Sequence, residues 1–263
     1  MSDVAFTGER LHRGNPLFGL DLARHEIAYR FAREYAGFSR EHARGGWVLD
    51  LGCGSGYGTA ELVDWGARVV GLDRVVPDAS SRRENGHFVR ADLAGIPLAS
   101  GAFALVLSFQ VIEHLEDPTD YLDGIARLLD ADGLALITTP NLLMSDGVNP
   151  YHVHEYRADE LAARLEQRFS SVEMRGVGAS ERVTRILEER SRRIRRIMRL
   201  DPLRLRERMP RSLVEWLFAR FAVLVRRRAA NPSPEDDITW REFPIGPADE
   251  RCLDLLAICR NPR

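Results

Sequence analysis

Four glycines alternate directly after a short apolar run, in the segment VLDLGCGSGYG. They are Gly52, Gly54, Gly56 and Gly58, with Cys53 between the first two. Glycine lets the backbone approach a ligand closely, and the first turn of a helix offers free N–H groups to it. The segment therefore predicts a ligand-binding loop between a strand and a helix. Cys53 is interpreted as a small residue beside the ligand and not as a nucleophile.

Two common nucleotide sites do not fit this loop. A dinucleotide fingerprint needs G-x-G-x-x-G, and its third glycine would fall on Tyr57 or Thr59. A phosphate-binding P-loop needs lysine, and all 37 residues counted as lysine or arginine in this 263-residue chain are arginine. The lack of lysine also excludes amine nucleophiles and Schiff bases. A general base must therefore be His, Asp, Glu or Tyr.

Histidines supply the candidate bases. His114 follows the fourth apolar run of the chain, and His152 follows the fifth. Histidine titrates near neutrality and can take a proton from a hydroxyl. We predict His152 and His114 as catalytic residues. The alternative for His114 is a role in shaping the methyl-donor pocket, and the alternative for His152 is a role in orienting the substrate. Tyr151, His154 and Glu155 are predicted to bind substrate. No metal site is predicted, because the H-x-H pair lacks a third ligand nearby.

The elements that must position these residues are short strands that alternate with helices. This order indicates an α/β fold: a doubly wound, mostly parallel sheet of seven strands with helices on both faces. An amphipathic helix is predicted at 20–36, with Leu22, Ile27, Phe31 and Tyr35 at helical spacing. The strands are predicted at 47–52, 68–73, 87–92, 103–109, 134–140, 171–178 and 253–260.

We expect four parts along the chain. They are an N-terminal helical cover (1–40), a core (41–178), an arginine-rich helical insertion (179–252) and the last strand (253–263). The first ten residues lack an apolar segment of signal-peptide type, and no apolar run is long enough to span a membrane. Three cysteines show no metal spacing. The expected compartment is therefore the cytoplasm.

The insertion carries the charge asymmetry of the chain. Residues 182–228 hold 16 arginines against five acids, although the net charge of the whole chain is −2. Three interpretations stay open: a solvated lid, a site for an anionic acceptor bound by bidentate arginines, and membrane-surface contact through 213–228. Nucleic acid is not expected as a partner, because aromatic residues are not interleaved with the arginines. Helical pieces are predicted near 182–200, 203–208 and 211–228.

The order of these motifs resembles the class I methyltransferases that depend on S-adenosylmethionine (SAM). Asp50 and the glycines match the first motif of that family, and FQVIEHLEDP (109–118) matches the stretch after its fourth strand. The resemblance covers residues 40–180 and implies a Rossmann-like methyltransferase fold with SAM as cofactor. It implies that Asp73 holds the ribose hydroxyls, since a carboxylate can accept two hydrogen bonds. It places Asp92 at the adenine amino group.

The cofactor contacts implied by this resemblance form one set. They are Asp50, Gly52, Cys53, Gly54, Gly56, Asp73, Arg74, Asp92, Leu93 and Phe109. For two of the carboxylates a purely structural role is the alternative. Asp50 could pin the glycine loop by hydrogen bonds, and Asp92 could cap a turn.

Four short motifs suggest a narrower group. They are similar to motifs of small-molecule and sugar O-methyltransferases from bacterial polysaccharide, glycolipid and natural-product clusters: TGER (7–10), TPN (139–141), NPYHVHEY (149–156) and CLDLLAICR (252–260). This resemblance implies O-methylation of a hydroxyl on a sugar or natural-product acceptor. The segment SFQV stands where adenine and amide N-methyltransferases carry [DN]-P-P-[YFW], which argues against those enzymes.

Other functions stay open beside O-methylation. One is C- or N-methylation of a small metabolite. Another, of a different class, is a SAM-binding non-catalytic partner or membrane-associated scaffold. A small-molecule acceptor, anionic or glycosylated, is the expected partner, and a homodimer is considered as well.

Overall fold

Eight strands build the sheet of this protein in a computed structural model, which describes residues 19–37, 46–145, 147, 149–198 and 237–263. The strands are β1 (Trp47–Leu51), β2 (Arg68–Asp73), β3 (Gly86–Arg90), β4 (Phe103–Phe109), β5 (Leu129–Pro140), β6 (Phe169–Val177), β7 (Ile245–Pro247) and β8 (Asp254–Pro262). Their spatial order is β3-β2-β1-β4-β5-β8-β6-β7.

The strands of the first half are parallel and end at one edge. β1 pairs in parallel with β2 and β4, β2 with β3, and β4 with β5. β8 lies antiparallel between β5 and β6. Ligands of open α/β sheets bind outside the carboxyl ends of parallel strands. The edge where β1, β2, β4 and β5 end is therefore where the site is expected.

The predicted α/β fold is confirmed, but the sheet has eight strands instead of seven. The additional strand is β7, which lies inside the insertion that was predicted to be helical. It has only three residues and pairs antiparallel with Arg175, Gly176 and Val177 of β6. A strand this short shows no alternation of apolar and polar residues, so the sequence pattern could not reveal it.

Helices cover both faces of the sheet. They are α1 (Gly19–Tyr35), α2 (Tyr57–Asp64), α3 (Thr119–Leu128), α4 (Ala158–Leu165) and α5 (Glu181–Met198). Because strand side chains alternate, Leu49 and Leu51 of β1 pack in the core beneath α3 and α4, whereas Val48 packs in the core beneath α1 and α2. The side chain of Asp50 consequently faces α1 and α2.

The helix predicted at 20–36 is confirmed as α1, but its most deeply buried residues are mostly small. Leu22, Ile27, Phe31 and Tyr35 are only half-buried. The buried residues are instead Leu20, Ala23, Ala28, Tyr29 and Ala32. Three alanines on this face let the helix backbone lie close to its neighbours. The four large apolar residues still pack against the core clusters, so their spacing marked a core-facing side of the helix, although not its most buried positions.

A third apolar cluster joins α1 to α5 at the carboxyl edge of the sheet. Leu20 and Ala23 of α1 pack there with Val183 of α5, together with Val177 and Leu253 at the adjoining strand ends. The first predicted helix of the insertion is thus α5. The pieces predicted at 203–208 and 211–228 lie outside the described residues, as does the TGER motif.

Three arginines of α5 form ion pairs with acidic residues of the chain. Arg182 pairs with Asp237, Arg192 lies 2.9 Å from Glu188, and Arg190 lies 4.0 Å from Asp21 of α1. Part of the basic charge of the insertion is therefore already balanced within the chain. Within the described ranges, no helix is both long and apolar enough to cross a membrane.

Candidate active site

The glycine loop joins β1 to α2 at the carboxyl edge. Gly52, Gly54 and Gly56 have φ angles of 82°, 56° and 82°, in the left-handed region that favours glycine. A Cβ at Gly52 would lie 2.4 Å from Cγ2 of Val111, whereas one at Gly54 would meet no atom within 4 Å. The loop is packed against protein at Gly52 and faces open space at Gly54. Cys53 is buried, and burial raises the pKa of its thiol.

The side chain of Asp50, two residues before the loop, joins β1 to α1 and α2. Its two carboxylate oxygens accept hydrogen bonds from the Tyr29 hydroxyl at 3.0 Å and the Thr59 hydroxyl at 2.5 Å. Gly58 makes room for this contact, because a Cβ there would lie 2.0 Å from Cζ of Tyr29. Burial raises the pKa of Asp50 to about 6, and the two hydrogen bonds partly offset that rise. The structure thus shows that Asp50 joins β1 to α1 and α2, and its contact with SAM stays a prediction.

Asp73 ends β2 beside the loop. One oxygen accepts from the backbone N of Gly54 at 2.9 Å, and the other from the backbone N of Val75 at 3.0 Å. The residue is half-buried, and each carboxylate oxygen keeps a further lone pair. A carboxylate fixed in this way beside an open glycine loop fits the ribose diol of SAM.

Three further predicted cofactor residues, Arg74, Asp92 and Leu93, follow β2 and β3. Asp92 caps a turn, since its Oδ1 accepts from the backbone N of Ala94 at 3.0 Å. Leu93 is half-buried against the main core. Arg74 is exposed, and its carbonyl accepts from Nε of Arg90 at 2.7 Å. Their contacts with SAM stay predictions.

An aromatic wall that the sequence did not reveal lies under α1. Phe109 is 3% exposed, and its ring packs edge-on to Tyr29 with 4.9 Å between centroids. His25 forms a hydrogen bond with the Tyr57 hydroxyl and lies 3.4 Å from the Phe109 carbonyl. Burial lowers the pKa of His25 to about 4. The Phe109 ring is therefore part of the core beneath α1. The family resemblance implied that Phe109 contacts the cofactor, and this contact stays a prediction.

The chain turns sharply after β4. Gln110 has a φ of 58°, which is uncommon for a residue other than glycine, and its N donates to the Thr138 carbonyl at 2.9 Å. A one-turn 3-10 helix follows at Ile112–His114. The turn brings Glu113 and His114 to the carboxyl edge. It also adjoins the glycine loop, because Val111 is the residue packed on Gly52.

Glu113 is a functional candidate that sequence reasoning missed. It is fully buried, and its Oε2 accepts from the Thr139 hydroxyl at 3.0 Å. Among the residues that the structure describes, none forms a hydrogen bond with its buried Oε1. Burial raises the pKa of Glu113 to about 7, and the charge of His114 partly offsets that rise. The only available signal was a carboxylate directly beside a candidate histidine.

The two predicted catalytic histidines are brought together. Their ring centroids lie 5.2 Å apart. Nδ1 of His152 lies 2.6 Å from Oε1 of Glu155, and Nδ1 of His114 lies 3.0 Å from the carbonyl of Tyr151. Burial raises the pKa of Glu155, but hydrogen bonds from His152 and Ser145 outweigh this and hold it below its ordinary value. Nε2 is thus the nitrogen that each ring keeps for a ligand or substrate.

His154 is directed elsewhere. Its Nε2 lies 2.8 Å from Glu160 of α4, and its ring packs on Tyr156 with 4.5 Å between centroids. In an extended segment residues two apart point to the same side. The chain bends at Val153, between His152 and His154, so the two rings point to different neighbours. The predicted contact of His154 with substrate stays a prediction.

A buried ion pair links α1 to the other side of the site. Arg24 lies 2.8 Å from Asp254 at the start of β8, with a quarter of the Arg24 side chain exposed. Burial raises the pKa of Asp254, and Arg24 partly offsets this. Sequence reasoning missed this pair as well, because the two residues lie at opposite ends of the chain.

Comparison with known proteins decides the family. The model of a methyltransferase domain family matches residues 23–176, more than half of the chain. The chain belongs to this family. The match confirms the SAM-dependent methyltransferase family predicted from the order of motifs, and the Rossmann-like fold predicted with it. SAM is the cofactor of such enzymes, and the open glycine loop beside Asp73 fits it.

Curated relatives share about a third of the aligned residues. The chain is 35% identical over 176 residues to a probable S-adenosylmethionine-dependent methyltransferase of Mycolicibacterium smegmatis, which covers 63% of this chain and 65% of that protein. It is 36% identical over 138 residues to the ubiquinone biosynthesis O-methyltransferase of Roseobacter denitrificans, covering 50% of this chain and 54% of that one. The chain thus spans less than two thirds of the length of these relatives.

Solved structures share the fold. A SAM-dependent methyltransferase from Archaeoglobus fulgidus superposes with a TM-score of 0.54 at 16% identity, covering 94% of this chain and 97% of that one. A phosphoethanolamine N-methyltransferase of Haemonchus contortus, solved with SAM, gives a TM-score of 0.56 at 14% identity, covering 99% of this chain and 61% of that one.

Proposed function

We propose that this chain transfers the methyl group of SAM to a hydroxyl of a small acceptor, of the sugar or natural-product class. One observation carries the proposal. His114 and the hydrogen-bonded pair of His152 and Glu155 form a cluster at the same carboxyl edge of the sheet as the glycine loop. Acceptor oxygens differ from most acceptor amines in that a proton must leave during or before attack. A site with two imidazoles and a carboxylate partner suits that requirement.

The chain's own residues divide the work of such a reaction. SAM, when bound, supplies an electrophilic methyl group. The glycine loop and Asp73 hold the adenosine, and methyl transfer then depends mainly on keeping the acceptor oxygen in line at near-attack distance. His152 and His114 assist removal of the hydroxyl proton through Nε2. Glu155 fixes the ring of His152 through Nδ1, as the orienting carboxylate of a catalytic histidine does.

The relatives favour oxygen as the acceptor atom. The Roseobacter denitrificans protein is named as an O-methyltransferase of ubiquinone biosynthesis. We infer from it the reaction class and not the acceptor. The proposed acceptor is anionic or glycosylated. We infer that α1 and α5 form a cover over the acceptor pocket. Two features support this cover: the apolar cluster that the two helices share at the carboxyl edge, and the arginine-rich composition that continues beyond α5.

A methyl-labelling experiment tests the acceptor atom. The protein is incubated with SAM carrying a 13C methyl group and with pools of monosaccharides, phenols and amines, and the product is observed by NMR. The expected result is a methyl resonance of an ether from the hydroxyl pools. A methyl group on nitrogen or carbon instead would contradict O-methylation.

Histidine variants test the assignment of the site. We expect His152→Ala to lower kcat by about 100-fold or more, as loss of acid–base assistance does, and His114→Ala to lower it too. SAM affinity should stay unchanged in both. His87→Ala is a matched control, because His87 lies on β3 against Trp47, away from the site. Near-wild-type turnover in both site variants would show that the histidines are not involved.

A further inference from the structure

Three potential metal ligands meet at the carboxyl edge. Glu113, His114 and His152 each offer one donor atom, and these atoms all lie within 4.8 Å of one another. The backbone fixes this arrangement. N–H groups of Val153 and His154 donate to the Glu113 carbonyl at 2.7 and 3.2 Å, which ties the segment after β5 to the turn after β4. The cluster is therefore built into the fold and does not depend on mobile side chains alone.

The carboxylate of Glu113 lacks a partner on one side. Oε2 accepts a hydrogen bond from Thr139, whereas Oε1 is buried and accepts none. A buried ionised carboxylate is costly unless it is paired with charge or bound to a metal. Glu113 is completely buried, so bulk water cannot compensate it. A positive charge beside Oε1 of Glu113 would therefore be stabilised by the carboxylate.

The two histidines are oriented as metal ligands usually are. A ligating histidine almost always donates its other ring N–H to a carboxylate or a backbone carbonyl, which fixes the tautomer. His152 meets Glu155 through Nδ1, and His114 meets the carbonyl of Tyr151 through Nδ1. Both kinds of outer partner are thus present at one cluster. With Nδ1 protonated, Nε2 of each ring carries the lone pair that a metal ion takes.

We propose that Glu113, His114 and His152 bind a divalent first-row transition-metal ion, of the Zn²⁺ or Co²⁺ type. Two imidazoles and one carboxylate form a ligand set common for such ions, with positions left open for water or substrate. Mg²⁺ and Ca²⁺ prefer oxygen ligands, of which the cluster offers only one side chain. Cysteines do not contribute, because all three are buried elsewhere in the core.

The metal site rests on the proposed function and specifies how the histidines assist it. The acceptor hydroxyl occupies an open position of the cation, which lowers the pKa of a bound hydroxyl. Its O–H bond breaks and the proton passes to solvent water. The oxygen lone pair forms the new bond to the methyl carbon, and the electron pair of the C–S bond stays on sulfur. The cation and its ligands are unchanged at the end.

Titration with Co²⁺ tests the site without SAM or acceptor. The full-length protein is treated with a chelator, dialysed and titrated by calorimetry and by visible absorption, which reports the ligands around Co²⁺. We expect one ion per chain. Glu113→Gln, His114→Ala and His152→Ala should each weaken binding by about 100-fold or more, and Glu155→Gln, which alters only an outer partner, by about 10-fold. His154→Ala is the control and should bind Co²⁺ as the wild type does.

The outcomes separate this site from the proposed function. Absence of Co²⁺ binding by a folded wild type, or equal binding by the wild type and all three ligand variants, would overturn the metal site while leaving O-methylation intact. Circular dichroism of each variant verifies folding. Turnover that is lost after chelation and restored by Co²⁺ or Zn²⁺ supports a role of the ion in the reaction, and turnover unaffected by chelation excludes that role. Binding by the cluster without methylation of any hydroxyl contradicts the function alone.

Discussion

Two halves of the carboxyl edge differ in how their polar groups are used. The cofactor half consists of the glycine loop with the residues that follow β2 and β3. Its carboxylates at Asp50, Asp73 and Asp92 each accept hydrogen bonds from the protein itself. The half proposed to bind the acceptor, called the acceptor half, consists of the turn 110–114 and the described residues within 141–156. Here Glu113 keeps an orphaned oxygen, and the two histidines keep Nε2 available.

The difference shows two ways of preparing a binding site. The cofactor half fixes its shape with backbone geometry and internal hydrogen bonds, which suits a ligand common to a whole family. In the acceptor half, some side-chain donor and acceptor atoms have no partner among the described residues. This lowers the stability of the folded state, because unsatisfied buried polar groups disfavour folding. Substitutions in the first half should therefore act through shape, and those in the second through charge.

The largest effect is expected from a Cβ inside the glycine loop. Gly52→Ala combines a left-handed φ with a clash against Val111, and should lower the free energy of unfolding by about 3 kcal/mol. Gly54→Ala carries the backbone strain without the clash, and should cost about 1 kcal/mol. Both should weaken SAM binding, because the added Cβ of Gly54→Ala occupies the open space over the loop. Urea unfolding and SAM calorimetry measure the two quantities. Equal destabilisation by both changes would contradict this reading of the loop.

The acceptor half should respond to pH through Glu113. Its pKa rises from 4.5 to about 7 on folding. The native state then binds a proton that the unfolded state has lost, so the stability of the wild type falls as pH rises from 4.5 to 7. Glu113→Gln lacks this loss, and its advantage over the wild type should grow by about 2 to 3 kcal/mol across that window. Urea midpoints of chelator-treated protein measure it. Parallel pH curves of the two proteins would show that Glu113 is not held protonated by burial.

The sequence predicted the cofactor half better than the acceptor half, for a physical reason. Asp73 and the glycines depend on local order: a strand, a tight loop and a helix in succession. Glu113 and His152 depend on a contact between segments on either side of β5, made through backbone hydrogen bonds that leave no pattern in the sequence. The motifs indicated both histidines, but not that Glu113 would be buried beside them.

Side-chain partners were harder still to predict. Asp50 was recognised, yet its hydrogen bond with Tyr29 depends on how α1 packs, which the apolar spacing of α1 does not specify. β7 escaped because three residues carry no periodicity. These failures share a cause, since each depends on packing between elements far apart in the chain.

The ion pair of Arg24 and Asp254 tests whether α1 is anchored to the start of β8, at the same edge of the sheet as the two halves. Arg24→Met leaves a buried carboxylate without its partner and should lower the free energy of unfolding by about 2 kcal/mol, at the low end for buried pairs because part of Arg24 is exposed. Arg83→Met is the control. Arg83 pairs with Asp64 on the surface, where an ion pair adds little. Thermal unfolding compares them, and similar effects of the two changes would show that the Arg24 pair is not a structural link.

The smallest effect should separate the two roles of Asp92. The side chain caps a turn through Oδ1, and Asp92→Asn keeps an oxygen for that cap. Stability should therefore change by less than about 0.5 kcal/mol. An adenine amino group donates hydrogen bonds, and it prefers a carboxylate to an amide because charge strengthens the bond. SAM affinity should consequently fall by about three- to tenfold, which calorimetry can measure. Asp92→Ala, which removes the cap as well, should lower both quantities. If Asp92→Asn binds SAM as the wild type does, Asp92 only caps the turn, and the cofactor half would hold adenine through groups other than this carboxylate.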